Sequence, residues 1–283
     1  MPKSILISGA SSGIGKALSL ELARHGYQVF AGVRTDQDAE KYHIQALPNL
    51  LPVMLDVTIP NSISAACDQL NELTSGELFC LVNNAGISVS GAMEFLPIQD
   101  FRQQMEVNLI GQLALTQACL PMLRKRSGRL IFVSSVAGRL VTPFNGPYAV
   151  SKAALVAMAD AFRLELMPWK VHVSALFVGS VQTAIWEKSA NLAGEILRRG
   201  PSEAWKRYGK MQKRAGSFYR QTGMKGMSAE KVALIIRRLL EAGRPKEYVL
   251  IGRSALRIEL MAKFLPVRLR DWLLRYQMGL LKT

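Results

Sequence analysis

The chain has 283 residues, of which 49% are hydrophobic, and a formal net charge of +15; that is apolar material for one large core rather than for a disordered chain. The longest apolar runs, such as residues 171–178, are of strand length, which excludes a membrane-spanning helix, and a glycine-rich turn cuts short the apolar start that a signal peptide needs, so the expected compartment is the cytoplasm. His25, His43 and His172 are dispersed and Cys67, Cys80 and Cys119 form no CxxC pair, so no metal site is expected and the cysteines read as buried free thiols. The charge is uneven: residues 1–186 hold 14 Lys and Arg against 13 Asp and Glu, whereas residues 187–283 hold 22 against 8. Such a basic third points to an anionic partner or surface, although solvated side chains are the plainer explanation.

The first predicted strand, residues 4–8, runs directly into SGASSGIG (8–15) and a helix over 13–25. Gly9, Gly13 and Gly15 let the backbone turn tightly and approach a ligand, and the free N–H groups of the helix start favour a diphosphate. Ser11, Ser12 and Ile14 complete this candidate cofactor turn, whose spacing is G-x-x-x-G-x-G rather than G-x-G-x-x-G. The second strand, 27–33, ends in Val33 and Arg34. An acidic residue there would accept the ribose hydroxyls of NAD; a neutral valine and a guanidinium that can pair with a 2′-phosphate favour NADP(H). NAD(H) stays the alternative because Asp36 and Asp38 stand nearby. After the third strand, 51–55, come Asp56 and Val57; Asp56 either faces the adenine amino group or caps the turn, read at residues 61–64, beside a helix over 62–73.

A fourth strand, 78–83, ends in NNAG (83–86), followed by a helix over 101–126 and a fifth strand, 129–135. The helix predicted over 147–167 opens with YAVSK (148–152). A tyrosine of ordinary pKa, about 10, exchanges protons near neutrality only if its phenolate is stabilised, and a lysine at i+4 lies on the same helical face. Strands over 171–177 and 247–251 flank a helix over 229–242, with Ser228 as its N-cap and Gly243 as its stop. Short apolar runs alternating with amphipathic stretches give an α/β class with a parallel sheet covered on both faces. Residues 184–226 are too long for a connection and carry helical stretches at 190–199 and 203–214, which suggests a lid. Beyond residue 253, Pro266 is placed to start a helix with Leu269, Trp272, Leu273 and Tyr276 on one side.

The three glycines, NNAG, Asn108 in NLIG, Ser135 in VSSVAG and YAVSK resemble the short-chain dehydrogenase/reductase family in order and spacing, over at least residues 4–183. SSGIG, PFNGPYAVSKAAL and the extended C-terminal segment are similar to its 17β-hydroxysteroid and retinol dehydrogenase branch. The resemblance implies one doubly wound Rossmann domain over residues 1–252, with a seven-stranded parallel sheet flanked by helices, a helical substrate lid at 184–227 and a basic amphipathic extension at 253–283. It also implies a chemistry. Tyr148 is the acid in ketone reduction and the base in alcohol oxidation, as hydride passes between nicotinamide C4 and the carbonyl carbon. Lys152 lowers the tyrosine pKa and holds the nicotinamide ribose, Ser135 positions the substrate oxygen, and Asn108 binds a water connecting Lys152 to solvent. Asn83, Ala85 and Gly86 lie beside the cofactor, while Gly179, Val181 and Thr183 contact its carboxamide and diphosphate. One departure stands out, because Val178 occupies the place of the family's usual proline.

Aromatic and aliphatic side chains of the lid suit a bulky, apolar ketone or alcohol of steroid, retinoid or lipid-like class. Val89, Met93, Leu140, Phe144 and Trp186, with Ser135, are the candidate substrate contacts. A homodimer or homotetramer is expected, and no nucleic acid, since no recognised module accompanies the bases. The second reading is a cofactor-binding regulatory or membrane-peripheral protein with little turnover. Arg268, Arg270 and Arg275 would then serve peripheral contact with an anionic membrane, although docking of the tail on its own domain or on a second subunit is favoured.

Overall fold

The computed structural model describes residues 2–281. Seven strands, β1 (Ser4–Ile7), β2 (Gln28–Val33), β3 (Leu50–Met54), β4 (Cys80–Asn83), β5 (Arg129–Ser135), β6 (His172–Val178) and β7 (Tyr248–Ile251), form one parallel sheet in the order β3-β2-β1-β4-β5-β6-β7. Every residue of β1 and β4 is buried, because helices cover both faces of the sheet. On one face, Leu18 and Leu22 of α1 (Gly13–Arg24) pack with Val232, Ile236 and Leu240 of a later helix, Ala229–Glu241. On the other, Leu70, Leu115, Leu155 and Phe162 come from three helices, α3 (Pro60–Leu73), α5 (Gly111–Lys125) and α6 (Gly146–Glu165). The strand order turns back between β1 and β4, so the chain leaves these neighbours toward opposite faces and a crevice opens beyond their carboxyl ends.

Several predicted boundaries move. The expected turn at 61–64 is the first turn of α3, where Pro60 sits without needing an N–H partner. The helix expected at 101–126 is α4 (Ile98–Met105) and α5 joined by a π turn over Glu106–Ile110 that carries Asn108. An unforeseen helix, α2 (Asp36–His43), buries only Tyr42, whose hydroxyl donates to the Ala10 carbonyl at 2.6 Å. Val178 pairs with both Ser135 and Ile251, so β6 extends one residue further than a proline would allow.

The two helical stretches expected after β6 are present and each is longer than expected, α7 (Ile185–Arg199) and α8 (Ser202–Met224), followed by α9 (Ala229–Glu241), which the Ser228 hydroxyl caps. After β7 come α10 (Arg253–Phe264) and α11 (Val267–Gln277). The stripe expected to define the last helix is turned away from the protein: Leu269, Trp272 and Tyr276 are exposed, and α11 docks through Leu274 with Met278 just beyond its end. At the opposite, amino-terminal edge of the sheet, the Arg129 guanidinium donates to the carbonyls of Leu239, Leu240 and Ala242 at the end of α9 and lies 5.1 Å from the Phe79 ring centre. No helix among the described residues is long and apolar enough to cross a membrane.

Candidate active site

A cavity of about 990 Å³ opens at the carboxyl ends of the strands and continues beneath α7 and α8. Its first end is the glycine turn. Gly9 (φ +64°) and Gly13 (φ +55°) take the left-handed conformation that a side chain disfavours. A Cβ on Gly9 would stand 2.7 Å from the Ala85 Cα, and one on Gly15 would overlap the Gly9 carbonyl oxygen. Gly15 therefore closes the turn from behind, off the cavity wall, whereas Gly9, Ser11, Ser12, Gly13 and Ile14 line it. α1 starts here with no side-chain cap on its N–H groups and no acidic residue in its first turn. Bare N–H donors beside a backbone with no room for side chains fit a diphosphate.

Asn84, absent from the sequence-derived set, fixes this turn: its Nδ2 donates to the carbonyls of Ser8 and Gly9, both at 3.0 Å. Its neighbour Asn83 is turned into the core, donates to Thr116 Oγ1 at 2.8 Å and does not reach the wall. Ala85 and Gly86 do. Further along, Val33, Arg34, Asp56 and Val57 line the cavity. Asp38 is off the wall and bonded to Lys41 at 2.7 Å, which holds its carboxyl below the usual range; Asp36 is likewise off the wall. Asp56 caps its own turn, its Oδ1 accepting from the backbone N and Oγ1 of Thr58 at 2.9 and 2.7 Å. Gly179, Val181 and Thr183 line the cavity on a loop that Met227 holds by pairing with Ser180 and Gln182.

Ser135 at the end of β5 and Tyr148 and Lys152 on α6 share the middle of the wall. Burial pushes the Tyr148 phenol up to about 12, and its hydrogen bond with Ser135 opposes that shift. Burial also pushes the Lys152 ammonium down to about 8. Its Nζ donates to the Val133 carbonyl at 2.9 Å and lies 5.7 Å from the Tyr148 ring centre. The Ser134 hydroxyl donates to the Lys152 carbonyl at 2.9 Å, anchoring this turn of α6 to β5. Asn108 is fully buried behind the wall; it bonds the Ile87 backbone through both N–H (2.8 Å) and carbonyl (2.9 Å) and donates to Ser151 Oγ at 3.0 Å.

At the far end Leu140 and Trp186 line the cavity, but Val89, Met93 and Phe144 do not. Val89 is buried with its N–H on Gln104, Met93 is exposed beside Gly146, and Phe144 packs edge-on to Tyr208. Their places are taken by Ile258 and Met261 of α10 and by Leu274 and Met278. Helices α7 and α8 are tied down at several points, three of them beside the cavity. Trp186 Nε1 donates to the Val181 carbonyl at 2.7 Å, the Tyr219 hydroxyl to the Pro143 carbonyl at 2.8 Å, and Ser189 Oγ meets Ser88 and Ser90 at 3.1 and 2.9 Å.

A family profile described as short chain dehydrogenase matches residues 3–192. The 3-amino-tetrahydro-pyrrolizinone reductase of Xenorhabdus hominickii is 34% identical over 278 residues, 95% of this chain and 94% of that protein. The 17-beta-hydroxysteroid dehydrogenase type 6 of Bos taurus is 37% identical over 211 residues, 73% of this chain and 66% of that protein. Among solved structures, an alcohol dehydrogenase from Thermococcus sibiricus complexed with 5-hydroxy-NADP superposes with a TM-score of 0.71 at 25% identity, covering 89% of this chain and 96% of that one.

Proposed function

The chain belongs to the short-chain dehydrogenase/reductase family of oxidoreductases, and on that premise we propose that it transfers hydride between NADP(H) and a lipophilic ketone or alcohol of steroid-, retinoid- or lipid-like class. The observation that carries this reading is one continuous cavity, with the glycine turn at one end, Ser135, Tyr148 and Lys152 midway, and Leu140, Ile258, Met261 and Leu274 at the other. A bound nicotinamide would supply or accept the hydride. The remaining work falls to the chain. Gly9, Gly13 and the start of α1 receive the diphosphate, and Arg34 receives the 2′-phosphate. Lys152 has one N–H on Val133 and turns the rest of its ammonium to the cavity, where ribose hydroxyls can accept.

With its phenol near 12, Tyr148 carries a proton at neutral pH and can give it to a carbonyl oxygen held by Ser135. In the reverse direction Tyr148 must first lose that proton, and the neighbouring Lys152 charge favours the phenolate. The relay through Asn108 belongs to the same reading. A Cβ on Gly86 would lie 3.3 Å from Asn108 Oδ1 and 3.6 Å from Lys152 Nζ, so both polar atoms border this glycine and a side chain there would crowd them.

The test is a panel of steroid, retinoid and aliphatic carbonyls with NADPH and NADH. Reduction of at least one apolar member is expected, and turnover of none would favour the regulatory reading. Arg34→Ala should raise KM for NADPH about 10- to 100-fold, the worth of a charge-assisted hydrogen-bond pair, and leave KM for NADH nearly unchanged. Equal effects on both would refute the assignment of Arg34.

A homodimer or homotetramer is part of the proposal. Val150, Ala153, Ala157, Ala161 and Leu164 recur at three- and four-residue steps along α6 and are all exposed, an uncharged stripe flat enough for a second helix. Sedimentation should show an oligomer that Ala157→Arg splits; a monomeric wild type would end this part of the reading.

A further inference from the structure

α10 and α11 have two unlike faces. Inward, Ile258, Met261, Leu274 and Met278 are part of the cavity wall at its apolar end. Outward, Leu256, Leu260 and Phe264 recur every fourth residue on α10 and are exposed, Phe264 to 68%. On α11 Leu269, Trp272 and Tyr276 are exposed in the same way, the two rings stacked with centres 5.4 Å apart. Arg253, Arg257, Lys263, Arg268 and Arg275 stand among these side chains, exposed and without an ion pair among the described residues. The acidic counterweight is slight: Asp271 is exposed beside Arg270, and Glu259 faces Arg139.

We infer that this outer face docks on an anionic lipid bilayer, which sets the helical wall of the substrate end against the membrane; the inference rests on the reading of the cavity as a lipophilic-substrate site. Aliphatic and aromatic side chains of this kind enter the boundary between headgroups and acyl chains, where tryptophan and tyrosine are most at home. Arginines and lysines on the same face pair with lipid phosphates. A second copy of the chain is a poor occupant, because a two-fold contact would set these cations against their like, and the uncharged stripe on α6 offers that copy a better place. Docking would also shorten the route of a water-insoluble substrate, which passes from the acyl boundary between two helices into the cavity without crossing water.

The test uses the intact protein and vesicles of phosphatidylcholine with or without phosphatidylserine. Sedimentation should show binding that needs phosphatidylserine and weakens with salt. The double variant Phe264→Glu with Trp272→Glu should bind roughly tenfold more weakly or worse, while Ile44→Glu, an equally exposed apolar-to-acidic change at the end of α2, should bind as the wild type does. Unchanged binding by the double variant overturns the inference, as does a change in its oligomeric mass, which would make this face a subunit contact. Tyr148→Phe should bind vesicles normally, so a failure of the catalytic reading leaves a separate signature: vesicle binding intact, turnover absent throughout.

Discussion

Tyr148→Phe is expected to lower kcat for carbonyl reduction about 10²- to 10⁴-fold, the range that a positioned proton donor contributes, with KM for NADPH little changed. The ring stays and fills the same space; what goes is the Oη that bonds Ser135 and, in the proposed reaction, would meet the substrate oxygen. The pH dependence of the wild type separates this role from mere packing. Because the phenol sits near 12, it is protonated throughout the neutral range, and reduction should be flat with pH there. Oxidation needs the phenolate beside a charged Lys152, so its rate should climb by about tenfold per pH unit through the neutral range and level off near pH 8, where the ammonium is lost. Full activity in the phenylalanine variant, or an oxidation rate indifferent to pH, would remove Tyr148 from the chemistry.

The second large effect joins activity to stability. Lys152 is 4% exposed and pushed down from 10.5 to about 8 by burial. Below pH 8 the ammonium is charged in the folded and the unfolded chain alike, and the whole cost of burying it is present, about 3 kcal/mol. Between pH 8 and 10.5 the unfolded chain still binds the proton that the folded chain has released, so stability rises with pH across that window. Lys152→Met removes the buried charge and gives up one hydrogen bond to Val133, worth about 1 kcal/mol. In the cofactor-free protein the variant should therefore melt a few degrees above the wild type at pH 7, and the gain should fade toward pH 10. Its kcat/KM should fall by orders of magnitude, since on the proposed mechanism it would lose both the phenolate's partner and the ribose donor. A variant that melts lower at pH 7 would show that Lys152 holds the fold together rather than straining it.

The parts of the site that could be read from the sequence are those that local spacing defines. Gly9 and Gly13 sit between a strand and a helix, and Tyr148 and Lys152 share a helical face wherever that helix lies. Asn83 and Asn84 carry the same local signal, and which of them reaches Gly9 depends on the register of β4 against β1, which no short window contains. Asp36 and Asp38 looked like rivals to Arg34 because α2 is too polar to show a helical pattern; once Thr35 caps it, both acids lie along the helix and off the wall. Phe144 and Met93 are candidate substrate contacts in the sequence, yet Phe144 takes a φ of +65° and faces Tyr208, and Met93 is exposed. The pattern in α11 announced an apolar stripe correctly but is silent on what the stripe meets. That depends on α10 and the lid, which arrive from elsewhere in the chain.

The clamp of Arg129 on the end of α9 has a consequence for how the molecule opens. It ties residues more than a hundred positions apart at the amino ends of the strands, far from the cavity. Helices α7 and α8 and the last two helices are held by a handful of hydrogen bonds and by a small buried cluster around Ala215, Met278 and Leu280, separate from the two large clusters on the sheet. Opening at that end needs only a fraction of the free energy of global unfolding, while the clamped end parts only when the whole domain does. On the proposed function, substrate would come and go many times over without the strand register, and with it the dinucleotide crevice, ever being at risk.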